Sequence, residues 1–348
     1  MTEHPHKLLS ISIAITQRCN LSCFYCSRNA GPTETLDFGL EDLANVLRSL
    51  QEYRAHQVKV FALSGGEPFL HPEFFSFLDT IAHHGYGITL NSNLTLLPER
   101  MLQRLKSYPI YKIVTTFDGC QECTHDGVRG GGSFRKTSKN IKRLVDSGFK
   151  IFIKTVLRKE NLAELEGIVC MGQALGVQRV GVHRRCALGR ARIMTDGITF
   201  AEALPYLEAC YCRAKELGIE FSYDDPLKIF VDPELVEYRD ELLGELAGCS
   251  AGKYMLNILT DGSVVPCPAF CVGIANICRD TVENIFENNP VLTKLRTRGV
   301  HSCSSCVYTN ICGGCRSRSL SSSGDFFDED PLCPMVRRTA SSAKSFPS

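Results

Sequence analysis

Strand-like and helix-like segments alternate through the first two-thirds of this chain, and that order admits few folds. Runs rich in β-branched and apolar residues at Leu9–Ile15, Val58–Leu63, Gly87–Leu90, Tyr111–Thr116, Phe149–Leu157 and Val177–Val182 read as strands. Between them, Leu40, Leu43, Leu47 and Leu50 recur at helical spacing with Asp37 as the expected N-cap. Pro98–Ser107 opens on a proline suited to a first helical turn, and Asn161–Leu175 closes at Gly176. Six such β/α units imply parallel strands joined by right-handed crossovers, hence a doubly wound sheet or a full or partial barrel. In all of these, chemistry gathers at the C-terminal edge of the strands.

The residues that follow each strand therefore matter most. After the first come Cys19, Cys23 and Cys26, in the pattern C-x3-C-x2-C, with no further cysteine until Cys120. Such a trio can give three thiolates to a four-iron cluster and leave one iron open to a small molecule. After the second strand, Gly65 and Gly66 let a ligand approach the backbone, and Glu67, before Pro68, can accept hydrogen bonds from an ammonium group. Asn91, Ser92 and Asn93 suit ribose or carboxylate oxygens, and Thr115-Thr116-Phe117-Asp118-Gly119 ends the fourth strand. Taken singly, each is most simply a turn. His183, Arg184 and Arg185 end the sixth strand and either clamp a carboxylate or phosphate or form a solvated face. Lys154 and Thr155 on the fifth strand, and Arg129, pose the same choice.

The 348 residues, 44% hydrophobic, can bury a large domain and a small one. A net charge of +1 offers no field for nucleic acid or an anionic membrane. Eighteen cysteines without a signal-peptide pattern, and without a run of about 18 apolar residues, fit metal-bound thiolates in a reducing cytoplasm better than disulfides.

Cys19-Asn20-Leu21-Ser22-Cys23-Phe24-Tyr25-Cys26, followed one β/α unit later by Gly65-Gly66-Glu67-Pro68, resembles the radical S-adenosylmethionine enzymes over residues 8 to 185. The resemblance implies a partial (β/α)6 TIM-like barrel in which Cys19, Cys23 and Cys26 ligate a [4Fe-4S] cluster. Its fourth iron would chelate S-adenosylmethionine, with Glu67 at the methionine ammonium, Tyr25 near the adenine, and Asn91, Ser92, Asn93, Thr116 and Asp118 also on the cofactor. Reductive cleavage would yield a 5′-deoxyadenosyl radical that abstracts hydrogen from substrate.

The last third changes character. Pro233–Leu246 reads as a polar helix, and then come Cys249, Cys267, Cys303, Cys306, Cys312, Cys315 and Cys333 among glycines. By themselves these cysteines leave zinc and iron–sulfur open. After such a core the segment resembles the SPASM domain, which implies two auxiliary [4Fe-4S] clusters. Cys303, Cys306, Cys312 and Cys333 would hold the outer one. Cys249, Cys267 and Cys315 would hold the inner one, with Cys271 or Cys278 as a possible fourth ligand. Only two residues separate Cys312 from Cys315 where the family pattern has three, a variant resembling a branch with haem-modifying and mycofactocin-type members. The expected layout is a barrel over 1–220, a helical linker over 221–248, the cluster domain over 249–334 and a disordered tail over 335–348.

SPASM-bearing relatives mostly modify peptides or proteins, so a precursor peptide crosslinked or oxidised at a side chain is the first expectation. A flavodoxin or ferredoxin would be the electron donor. Only 18 residues precede Cys19, so a leader-peptide-binding function is expected on a separate protein. Radical oxidation, epimerisation or decarboxylation of a sugar, nucleoside or tetrapyrrole is the alternative, and a non-enzymatic electron-transfer module the remote one.

Overall fold

The computed structural model describes residues 7–185, 187–193, 197–232, 234–237, 248–270, 272–296, 303, 306–309 and 311–335. Seven strands lie side by side, all parallel, in chain order: β1 Ser10–Thr16, β2 Val60–Gly65, β3 Gly87–Asn91, β4 Ile110–Thr116, β5 Ile151–Leu157, β6 Arg179–Arg184 and β7 Glu220–Tyr223. The six expected strands are β1 to β6. β7 is an addition, and it runs across the boundary expected after residue 220.

Alternation along each strand separates two faces. Ile11, Ile13 and Ile15, Phe61 and Leu63, Ile88 and Leu90, Ile151 and Ile153, and Val180 and Val182 are buried. Helices α1 Leu40–Glu52, α2 Phe74–His83, α3 Glu99–Leu105, α4 Glu122–Arg129, α5 Ser133–Asp146, α6 Leu165–Leu175 and α7 Phe200–Leu217 follow the strands, and the apolar stripes of all but α4 complete this core; Val128 of α4 packs in a small separate cluster with Tyr25. In α1 the stripe is Leu43, Val46, Leu47 and Leu50. Close packing is explicit at Gly172 of α6, where a Cβ would meet Val180 Cγ2 at 2.7 Å. The other strand face carries Ser12, Ser64, Asn91, Lys112, Lys154 and His183, all half-buried, and lines the lumen.

Two helix starts differ from expectation. Gly39 caps α1, its N–H donating to Asp42 Oδ2 at 3.3 Å. Asp37 is drawn away to the end of β1, where it accepts from Thr16 Oγ1 at 2.5 Å and Arg18 Nε at 2.8 Å. The stretch from Asn161 begins as a 3-10 turn over Lys159–Glu164 before α6, which ends at Gly176 with φ +78°.

The C-terminal third joins the same sheet. After α8 Glu234–Glu237, strand β8 Met255–Ile258 pairs in parallel with β1 on the side away from β2. β9 Ser263–Val265 and β10 Ala275–Asn276 continue antiparallel from it. Helices α9 Pro290–Arg296 and α10 Arg316–Ser323 complete the region. Most of the expected linker helix, residues 238–247, and the tail beyond Met335 lie outside the described residues.

Candidate functional site

The three N-terminal cysteines sit in the loop leaving β1, held from several directions. Cys19 N–H donates to Gly31 O at 3.1 Å, and Cys26 N–H to Cys23 O at 3.2 Å. Cys19 Sγ accepts from Leu21 N at 3.5 Å and from Asn93 Nδ2 at 3.9 Å. A turn beyond β6, Gly189–Ile193, presses on the same loop: Arg190 N donates to Cys26 O at 3.0 Å and Arg190 Nε to Cys23 O at 2.9 Å. A Cβ on Gly189, where φ is +54°, would meet Cys26 O at 2.5 Å. Sequence reading missed Arg190, whose partners lie some 160 residues away and leave no local signal.

Burial pushes the Cys19 thiol up to about 11, against a lowering hydrogen bond from Leu21, with Glu67, Cys23 and Cys26 adding to the rise. Cys23 is raised too, chiefly by burial, with Arg129 opposing. Two raised thiols, Cys19 buried and Cys23 half-buried, fit a cationic iron centre, whose charge stabilises thiolates.

The Gly65–Pro68 segment lies directly against that loop. Gly66 N donates to Thr16 O at 2.7 Å and Glu67 N to Arg18 O at 2.8 Å. A Cβ at Gly65 would meet Thr16 O at 2.2 Å, and one at Gly66 would meet Arg18 O at 2.3 Å. Backbone crowding is thus what the structure requires of these glycines, before any ligand is considered. Glu67 is fully buried, and its carboxylate accepts from Ser92 Oγ at 2.8 Å, Asn93 N at 2.8 Å and Phe69 N at 3.2 Å. Burial raises its pKa to about 7, and those three donors hold it back from rising further. Pro68 starts the short turn Pro68–Leu70. Asn91 Nδ2 donates to Leu63 O at 3.2 Å, and Asn93 Nδ2 to Asn20 Oδ1 at 3.0 Å.

Tyr25 brings the cysteine loop to the end of β4. Its hydroxyl donates to Asp118 Oδ1 at 2.5 Å and accepts from Arg129 Nη2 at 3.0 Å, while Arg129 Nε reaches Asp118 Oδ2 at 2.6 Å. The Asp118 side chain is 0% exposed and that of Arg129 11%. Burial alone would raise Asp118; the Arg129 charge and the bonds from Tyr25 and Arg129 outweigh it and leave the pKa low. The ring packs on Val128, Val156 and Ala191.

In the C-terminal third, Cys303, Cys306, Cys312 and Cys333 line one pocket with Phe230, Tyr308 and Asp330. None of the described cysteines is in a disulfide. Among the described residues no three Cys, His, Asp or Glu side chains are grouped to hold a single metal ion. Cys249 N–H donates to Cys312 O at 3.1 Å, and Cys315 N–H to Asp330 Oδ2 at 2.7 Å. Burial pushes the Cys315 thiol up to about 12, with Arg318 opposing and Asp225, Cys249 and Asp330 adding. Cys278 is exposed, its Sγ 3.4 Å from Asp42 Oδ1 on α1, which directs it to the outer surface. Cys271 lies outside the described residues.

This arrangement agrees with two family models: the radical SAM superfamily over residues 13–169 and the SPASM iron–sulfur cluster-binding domain over 249–315. The chain belongs to the SPASM-bearing radical SAM enzymes. It is 27% identical to the AdoMet-dependent heme synthase of Methanosarcina barkeri over 93% of this chain and 95% of that protein. It is also 27% identical to the antilisterial bacteriocin subtilosin biosynthesis protein AlbA of Bacillus subtilis, over 90% and 68%, and 22% identical to the mycofactocin maturase MftC of Mycobacterium tuberculosis, over 92% and 81%. Streptococcus suis SuiB, solved with its precursor peptide SuiA, has the same fold, with a TM-score of 0.77 at 17% identity over 95% of this chain and 76% of SuiB. The cofactors of such an enzyme are a [4Fe-4S] cluster with S-adenosylmethionine and auxiliary iron–sulfur clusters. No helix among the described residues is long and apolar enough to cross a membrane.

The radical SAM barrel sorts the substrate-side candidates by pleat. His183 and Lys154 face the lumen, and Lys154 Nζ pairs with Asp224 Oδ2 at 3.2 Å. Arg184 does not share that face. It is buried on the helix side, donating to Tyr223 Oη at 2.9 Å, Ile198 O at 2.9 Å and Thr199 O at 3.3 Å, because successive residues of β6 point to opposite faces. Arg185 donates to Ala191 O and so supports the turn on the cysteine loop. Thr116 pairs with Lys154 across β4 and β5.

Proposed function

We propose that this radical SAM enzyme is a peptide or protein maturase working in the cytoplasm. Cys19, Cys23 and Cys26 hold the catalytic cluster, and Tyr25, Gly65–Pro68, Asn91–Asn93, Thr116 and Asp118 border S-adenosylmethionine. Bound there, these cofactors would supply radical abstraction of a hydrogen atom from substrate, with one electron delivered by the external donor. The observation that carries the reading is the seating of the three-thiol loop at the C-terminal mouth of a lumen whose outer face is sealed by helices. Glu67 orients the Asn93 loop beside Cys19, the Tyr25–Asp118–Arg129 clamp keeps the cysteine loop in place, and the half-buried lumen face receives the substrate. Cys303, Cys306, Cys312 and Cys333 hold the outer auxiliary cluster, and Cys249, Cys267 and Cys315 the inner one. The names of the relatives AlbA and MftC support a peptide substrate. A flavodoxin or ferredoxin and a separate leader-peptide-binding protein are the partners of this reading.

The heme synthase relative, matched over nearly its whole length, favours a tetrapyrrole as the second reading. Protein reconstituted without oxygen should form 5′-deoxyadenosine from S-adenosylmethionine, and a short peptide encoded beside the gene should change mass. The Cys19, Cys23, Cys26→Ala triple variant should lose 5′-deoxyadenosine formation and keep its C-terminal iron. Cleavage persisting in that variant overturns the assignment.

A further inference from the structure

A barrel that used its lumen only for packing would fill it with branched apolar side chains. This one places charge there. Lys112 Nζ stands 4.6 Å from the centroid of the Phe152 ring and the Arg179 guanidinium 5.7 Å from it. Asp224, just past β7, accepts from Arg179 Nη2 at 3.1 Å and pairs with Lys154. A Cβ on Gly181 would meet Asp224 Oδ2 at 3.2 Å, so the missing side chain leaves room beside the carboxylate.

The charges on this wall do not balance locally. Lys154 and Arg179 share Asp224; Glu220 is exposed at the rim, 3.3 Å from Arg179 Nη1, and Asp118, the other carboxylate that acts on His183 among the described residues, is already paired with Arg129. Among the described residues no carboxylate lies within 4 Å of Lys112 Nζ, and burial together with Arg179 and Lys154, against the weaker pull of Asp224 and Glu220, holds that amine below the usual lysine range. His183 adds a second signal: its Nδ1 is shut off from solvent and has no hydrogen-bond partner among the described residues. An enclosed polar atom and excess cations both cost free energy until an anion or hydrogen-bonding group arrives.

We propose that this wall binds a carboxylate of the substrate, with Lys154 as its ion-pair partner and His183 as its hydrogen-bond partner. The assignment rests on the reading above, in which substrate enters the lumen, and it deepens it. Lys112 and Arg179 add positive potential from below, and Asp224 holds Lys154 in place until the substrate engages. Burial and the Lys154 charge keep His183 down near 4, Asp224 opposing, so the ring is a neutral imidazole at pH 7 and acts by hydrogen bonding. Carboxylates of this kind occur on acidic peptide side chains and on tetrapyrrole propionates, and the probes separate the two.

The test measures dissociation constants on full-length holoenzyme reconstituted without oxygen. One arm compares a fluorescent peptide containing a single glutamate with its glutamine twin. The other compares a porphyrin bearing free propionates with its methyl ester. In at least one arm the acid should bind about tenfold or more tightly than its capped form. Lys154→Met should abolish that preference, Lys154→Arg should retain most of it, and His183→Gln should weaken it. Equal behaviour of acid and capped probes in both arms, including no binding of either, overturns the proposal, as does a preference surviving in Lys154→Met. Formation of 5′-deoxyadenosine by the wild type, assayed without probes, reports separately on the maturase reading.

Discussion

Replacing Asp118 with asparagine should loosen the cysteine loop from a distance. The carboxylate is fully enclosed and takes one hydrogen bond from Tyr25 and one from Arg129, whose side chain is 11% exposed. An asparagine keeps the shape and leaves a buried guanidinium without its counter-charge, a change that costs about 3–5 kcal/mol. Tyr25→Phe is the milder probe. It deletes the hydrogen bond donated to Asp118 and the one accepted from Arg129, about 1.5–3 kcal/mol, and preserves the ion pair. Because both changes act on the same carboxylate, the double variant should fall short of the sum by about 0.5–3 kcal/mol. The assay is anaerobic urea unfolding of the four proteins, with iron per chain counted in parallel. Tyr25 lies between Cys23 and Cys26, so Asp118→Asn should shed iron before Tyr25→Phe does. An Asp118→Asn protein within about 0.5 kcal/mol of wild type, at full iron content, would refute the reasoning.

Glu67→Gln turns an amide N–H₂ toward at least one of the donors Ser92 Oγ, Asn93 N and Phe69 N. It should cost about 1–3 kcal/mol in urea unfolding and weaken S-adenosylmethionine binding; unchanged values of both would remove Glu67 from the site. His125 is buried, and burial, with Arg129 adding and Asp118 opposing, lowers its pKa to about 4. The unfolded chain binds its proton first, so stability present above pH 6.5 is lost as pH falls towards 4, by about 3 kcal/mol at most. His183 titrates in the same sense, so the measurement is the difference between wild type and His125→Phe, and parallel pH curves would sink it. Arg318 joins Asp225, after β7, to Asp330 beside Cys315. Arg318→Met strands two buried carboxylates and should cost more than about 3 kcal/mol, splitting urea unfolding into two steps; a single unshifted transition would contradict this.

The barrel was legible because its strands alternate. Ile11, Ile13 and Ile15 or Ile151 and Ile153 announce a covered face without any partner being known. The three cysteines were legible because their spacing is local. β7, with only four residues, and β8 to β10, with two to four, carry too short a pattern to stand out. They are strands by virtue of the neighbours they pair with, β8 with β1 across some 240 residues of chain. Asp37 looked like a cap for α1 because propensity sees only its own helix, whereas the charge of Arg18 and the Thr16 hydroxyl lie closer.

The substrate candidates mark a sharper limit. His183, Arg184 and Arg185 are adjacent, and composition treats them alike, yet a pleat of period two sends one to the lumen and the next behind the sheet. Which is which depends on register. Val156↔His183 fixes His183 opposite a residue that packs on Tyr25, and Leu157↔Arg184 fixes Arg184 opposite a core leucine. Once that pairing is known, the polar residues on the lumen parity, Lys112, Lys154, Arg179 and His183, become one surface spread over three strands. The apolar parity cannot tolerate an unpaired charge, so Arg184 is hydrogen-bonded to Tyr223, Ile198 and Thr199. Among the described residues, the lumen parity leaves Lys112 with no carboxylate within 4 Å and His183 Nδ1 with no hydrogen-bond partner. Unspent polar capacity on the face that opens toward Cys19, Cys23 and Cys26 is what makes Lys154 and His183 the proposed substrate contacts.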